Sequence, residues 1–190
     1  MEENLPTQNQ EKFLSEEELK LLITKAYQSG LKMENYEKDI EELRLLRKEK
    51  RYGLNTEKET RYKELNKKMS ECEVLVNTIM EYKKVLELIG LEKEKIDSLL
   101  NHENAHANVT EQVKSQSFDG FRIRFYKDKN GNMSLWPSTK TTTDFSFPEK
   151  QRLEEDILVN EAPLHYGDTL SKGDKDIIEK AKNRLSEISN

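Results

Sequence analysis

His102, Glu103 and His106 fall in the pattern His102-Glu103-Asn104-Ala105-His106, an HExxH motif that holds two of the chain's three histidines. Residues four apart on a helix stand one above the other, with roughly 5–6 Å between their Cβ atoms. Two imidazoles so spaced can share one Zn²⁺. The glutamate after the first histidine then lies beside the metal's open position, where it can take a proton from bound water. The spacing therefore predicts metal-assisted hydrolysis, with His102 and His106 as ligands and Glu103 as the proton acceptor. A third protein ligand is needed, and several residues compete for it. Glu154 and Glu155 lie on a later helix, His165 offers a further imidazole, and Asp174 is placed either to bind metal or to cap the last helix.

The motif requires a helix, and the segment from about Glu92 to Ser115 supplies one, with Ile96, Leu99, Leu100, Ala105, Ala107 and Val109 as its less polar positions. After Asp119-Gly120 the period changes to two. Phe121, Ile123 and Phe125 alternate with Arg122, Arg124 and Tyr126, Asp128–Asn132 reads as a turn, and Met133, Leu135 and Trp136 return as a second strand. An extended peptide is expected to add to the strand Phe121–Tyr126, making Phe121, Ile123 and Phe125 substrate-binding residues. Ser138–Phe147 reads as a Thr-rich loop. Pro148 starts a helix that reaches about Glu161 and is ended by Ala162-Pro163. Ser171 or Asp174 caps a final helix carrying Ile177, Ile178, Ala181, Leu185 and Ile188.

Residues before Gly90 read as helices. Ser15-Glu16-Glu17-Glu18 is a capping-box start for a helix over about 16–29, stopped by Gly30. A second helix runs from about Glu34 to Arg51 and is broken by Gly53. A third, capped by Asn55 or Thr56, is expected to reach Ile89. Along it Leu65, Met69, Cys72, Val76, Ile79 and Leu86 fall at alternating spacings of four and three, which is coiled-coil spacing over about three heptads. Such a seam is either buried within a bundle or shared with a second copy.

Composition limits the partners. The 190-residue chain is 36% charged and 34% hydrophobic, with a mean hydropathy of -0.95 and a net charge of -5. An acidic balance argues against nucleic acid, whose phosphates need a basic surface. No run approaches the roughly 18 apolar residues of a membrane span. Met1-Glu2-Glu3-Asn4 lacks the basic-then-apolar order of a secretory signal, and Cys72 is the single cysteine, so a cytoplasmic protein without an internal disulfide is expected.

Residues 92–188 resemble the zincin peptidase domain of FtsH-type ATP-dependent proteases. His102-Glu103-Asn104-Ala105-His106-Ala107 is similar to that family's HEAGHA, and Gly120–Pro137 is similar to its edge hairpin beside the active-site helix. Ile157–Gly167 resembles the segment before the third metal ligand. Ser171-Lys172-Gly173-Asp174-Lys175-Asp176-Ile177-Ile178-Glu179-Lys180-Ala181 resembles a family segment of the form SGASNDLEKA. The aspartate that ligates zinc there falls on Asp176, so the resemblance implies His102, His106 and Asp176 as the ligand set. The family's ATPase module, P-loop and membrane segment have no counterpart here.

The expected architecture is α+β and mostly helical. An N-terminal helical hairpin or coiled-coil arm (residues 1–90) precedes a minimal zincin-like domain with a β-hairpin (residues 91–190). The expected function is that of a zinc-dependent metallopeptidase acting on a protein or peptide, with a homo-oligomer formed through the arm. The alternative is a non-catalytic interaction or scaffold protein with a degenerate zincin domain.

Overall fold

A computed structural model describes residues 13–50 and 53–188; Arg51, the expected end of the second helix, lies outside them. The described residues form seven helices and one antiparallel three-stranded sheet. In chain order these are α1 (Glu16–Leu31), α2 (Tyr36–Lys50), α3 (Thr56–Glu71), β1 (Glu73–Val76), α4 (Ile79–Ile89), α5 (Lys93–Thr110), β2 (Gln116–Lys127), β3 (Met133–Thr143), α6 (Glu149–His165) and α7 (Lys172–Ile188). The α+β, mostly helical expectation holds. No described helix is long and apolar enough to cross a membrane.

The expected third helix and its coiled-coil seam are not present as one element. The helix stops at Glu71, and the run Glu73-Val74-Leu75-Val76 forms strand β1. Thr78 then starts α4 with its own capping box, its hydroxyl accepting from the Glu81 N–H. The residues of the apparent seam divide between two cores. Leu65, Met69 and Cys72 pack with Met33, Tyr36, Ile40, Leu43 and Leu46 between α2 and α3. Val76, Leu86 and the partly buried Ile79 join a second cluster with Leu19, Ala26, Phe121, Ile123 and Phe125. A seam consumed inside the chain is not available to a second copy.

Strand β2 is central, in the order β1-β2-β3. β1 pairs with it from Glu73↔Arg124 to Val76↔Phe121, so the hairpin expected after residue 91 gains a strand from before residue 90. Alternation sends Phe121, Ile123 and Phe125 into the cluster under α1 and α4, where each is at most 3% exposed. Arg122, Arg124 and Tyr126 take the opposite face, where Tyr126 stacks on Tyr36 of α2 with ring centroids 4.2 Å apart. The expectation that Phe121, Ile123 and Phe125 bind substrate is thereby corrected. They lie on a central strand and are core, while the edge strands are β1 and β3.

Three boundaries also move. Gly30 does not stop α1 but lies inside it, because a Cβ there would meet the Phe125 carbonyl oxygen at 2.6 Å; only glycine lets α1 lie this close to β2. The Thr-rich segment expected as a loop continues β3 to Thr143. Helix α6 continues past Ala162 and Pro163 to His165.

Candidate metal centre

Helix α5 carries His102 and His106 on one face. Each ring is oriented through Nδ1 by a different element. His106 Nδ1 is 2.8 Å from the carbonyl oxygen of Val159 on α6, and His102 Nδ1 is 3.0 Å from Asp168 Oδ2 in the loop between α6 and α7. A carbonyl only accepts, so His106 carries its hydrogen on Nδ1 and turns the Nε2 lone pair inward. The carboxylate of Asp168 favours the same arrangement at His102.

The two Nε2 atoms lie 3.2 Å apart. Asp174, in the first turn of α7, closes the triangle: its Oδ2 is 3.2 Å from His102 Nε2 and its Oδ1 is 3.5 Å from His106 Nε2. Ligand atoms of the three residues all fall within 4.8 Å of one another. His106 and Asp174 are each 7% exposed. Two inward lone pairs and a carboxylate at this separation repel unless a positive charge sits among them, either a proton or a metal ion. As a proton acceptor, His102 is pushed up to about 9, first by its hydrogen bond to Asp174, against the cost of burial, with help from Glu103 and Asp168. Burial acts to raise Asp174, but hydrogen bonds from His102 and Ser171 hold its carboxyl below the usual range. A metal ion bound at the same place would have to displace that proton.

Asp174 is aimed by the way its helix starts. Its N–H donates to Ser171 Oγ at 3.2 Å, while Ser171 N–H donates to Asp174 Oδ2 at 2.7 Å. That reciprocal pair is a capping box with aspartate in the acidic position. It fixes the rotation of α7, so Asp174 does both things the sequence offered as alternatives. Asp176, two residues on, is turned by roughly 200° around the helix and is exposed. Asp174 therefore replaces Asp176 as the carboxylate that meets the imidazoles.

The other candidates stand elsewhere. Glu154 is exposed and 3.9 Å from Lys150. Glu155 is buried, but it accepts from Lys114 N–H, Ser115 N–H and the Ser115 hydroxyl, which holds the turn into β2. His165 is exposed at the end of α6.

Glu103 points from α5 to β3. The backbone N–H of Thr139 donates to its Oε2 at 2.5 Å, and the Thr139 hydroxyl lies 2.9 Å from the same oxygen and 2.9 Å from the Glu103 carbonyl. Glu103 is 5% exposed. Beneath it, Tyr82 is fully buried, and its hydroxyl has no hydrogen-bond partner among the described residues. Burial, and then the Glu103 charge, push the phenol far up.

The cluster opens into a cleft of about 660 Å³. One wall is α5 with the start of α7, and the other is the outer edge of β3 from Trp136 to Thr141. Thr139 turns its N–H outward to Glu103, and by the two-residue period Pro137 faces outward as well, with no N–H to offer. Asp168, Val159 and Thr139 carry no motif that marks them for the site. Asp168 sits in an aperiodic loop, and Thr139 sits in a segment that read as loop. No family model, curated protein or solved structure matches the chain.

Proposed function

We propose that the chain is a zinc-dependent metallopeptidase in which His102, His106 and Asp174 hold the metal. The observation that supports this reading is the convergence of two Nε2 atoms 3.2 Å apart with one carboxylate, whose Oδ2 is 3.2 Å from His102 Nε2 and whose Oδ1 is 3.5 Å from His106 Nε2. Bonds of about 2.0–2.1 Å in tetrahedral geometry put neighbouring ligand atoms about 3.3 Å apart, and the 3.2 Å between the two Nε2 atoms is close to that spacing. Two nitrogens and one carboxylate, with a cleft on the fourth side, match a catalytic donor set better than a closed structural one. When bound, such an ion acidifies a water molecule to near pH 7 and polarises a carbonyl.

The chain's own groups do the rest. Asp168 and the Val159 carbonyl hold both imidazoles in the ligating tautomer. Thr139 engages Glu103 through Oε2, leaving Oε1 to take the proton from the attacking water and return it to the departing amine. An extended peptide lies along the edge of β3 and donates its N–H groups to the outward carbonyls of Pro137 and Thr139.

Protein purified without a histidine tag should contain one equivalent of zinc and cleave an unfolded protein substrate. Glu103→Gln should keep the metal and lose about 10²–10⁴-fold in rate. Bound zinc with equal rates for the two proteins would sink the mechanism. A second reading, a non-catalytic zinc-stabilised scaffold, draws on one observation: Thr139 uses Glu103 as an anchor for β3. Under that reading neither protein cleaves, and Glu103→Gln lowers the melting temperature instead.

A further inference from the structure

The face of the sheet opposite the apolar core gathers guanidinium groups around the Glu73 carboxylate. Glu73 Oε2 is 2.7 Å from Arg124 Nη2 and 4.0 Å from Arg122 Nε, so one carboxylate serves two arginines. Arg124 is 4% exposed, and its Nε has no acceptor among the described residues. Arg122 donates from Nε and Nη2 to the Ser138 hydroxyl at 3.1 and 2.9 Å, a neutral partner. Arg47, which donates to the neutral Asn66 Oδ1 at 3.0 Å, adds a third positive charge felt at Arg122, while Arg44, 5.8 Å from the Trp136 ring centroid, is paired with Glu41 at 3.4 Å. Burial first, and then the charges of Arg124 and Arg47, disfavour the Arg122 cation.

Of these arginines only Arg122 lines the cleft, with its side chain 19% exposed. Along β3 it lies beside Ser138, next to Thr139, where Glu103 docks. The cleft's acidic groups are taken up differently. Asp168 and Asp174 face the imidazoles, Glu103 is held by Thr139, and Asp156 lies toward the other end of the strand, accepting from Gln116. An incomplete charge balance at a partly open guanidinium is relieved by an anion, and the planar fork suits a carboxylate.

We propose that Arg122 is a carboxylate-reading subsite of the cleft, so that the preferred substrate is an extended peptide bearing an acidic side chain or a free C-terminal carboxylate on the Ser138 side of the scissile bond. The reference to a scissile bond rests on the hydrolase reading; recognition of the carboxylate does not.

The test uses the full chain and the single tryptophan, Trp136, which lines the cleft and reports occupancy by fluorescence. The probes are unstructured decapeptides with one Glu at a scanned position, their Gln counterparts, and neutral peptides with free or amidated C-termini. Binding is measured on zinc-loaded Glu103→Gln protein, so that cleavage does not interfere. The Glu or free-carboxylate peptide should bind about tenfold or more tightly than its amide partner, and the preference should vanish in Arg122→Gln. Whether the Glu arm or the C-terminal arm carries the preference identifies the source of the carboxylate. Equal binding in both arms, or a preference that survives Arg122→Gln, overturns the proposal. If thermal melting shows that Arg122→Gln does not fold, Arg122→Lys decides: a severalfold loss of preference supports the guanidinium fork, and an unchanged preference overturns it. Cleavage of the same peptides by zinc-loaded wild type is scored separately. Its absence would end the hydrolase reading while leaving the binding comparison to decide this one.

Discussion

Helices α4 and α7 both open on a reciprocal cap, Thr78 with Glu81 and Ser171 with Asp174, and both acidic residues are 7% exposed. Their surroundings differ. Glu81 Oε1 accepts from Leu14 N–H, and Oε2 is shared by Asn77 N–H, Thr78 N–H and the Thr78 hydroxyl. Four donors from the chain itself satisfy that carboxylate, and in doing so they tie the entry to α1 against α4. Asp174 receives one backbone donor and directs its remaining capacity at two imidazole nitrogens. A buried carboxylate saturated by amides is a structural part. One that meets two imidazole nitrogens keeps capacity for a proton or, on the reading proposed above, for a metal ion.

The sharpest way to break this contrast is to truncate Asp174. Asp174→Ala should weaken zinc binding by more than about 100-fold, beyond the range of an outer-shell change, as read by competition with a chromogenic chelator. Asp176→Ala should leave it unchanged, and equal losses from the two variants would erase the distinction. Asp168→Asn removes the partner of His102 Nδ1 and should cost about 10–100-fold in zinc affinity while the fold is retained. The converse experiment is Glu81→Ala. It should lower unfolding free energy by about 2 kcal/mol in denaturant titration and leave zinc affinity where it was. The smallest effect is expected at Tyr82. Removing a buried hydroxyl that has no partner among the described residues should shift stability by less than about 1 kcal/mol, toward stabilisation, so a large loss in Tyr82→Phe would reveal a role for that phenol beside Glu103.

Much of this contrast could be read in advance, and the part that could not has a physical cause. The HExxH pair depends on an interval of four along one helix, which the sequence displays directly. The third carboxylate depends on the rotation of a separate helix. The signal for that rotation was the Ser171-x-x-Asp174 cap, whereas the family-like segment pointed two residues further on. Asp168 offered no signal, because its position is set by how the loop from α6 folds back over α5. In the N-terminal half, apolar residues three and four apart read equally well as one long seam or as two helix faces joined by a short strand. The β-branched Val74 and Val76 marked the strand, but four residues are too few to outweigh a helical period on either side. The same ambiguity displaced the substrate edge. Without β1, β2 would be an edge strand and Phe121, Ile123 and Phe125 would line it.

Strand β1 also constrains how this protein emerges from the ribosome. Glu73 pairs with Arg124, and Phe125 N–H donates to the Cys72 carbonyl at 2.8 Å. About fifty residues must therefore be synthesised after β1 before its partner exists. At roughly 5–20 residues per second, the nascent segment carrying Val74, Val76 and the apolar side of α1 waits several seconds without its sheet. Slowing elongation when β1 has left the tunnel and β2 has not should thus lower the yield of native protein more than an equal delay once all three strands have emerged.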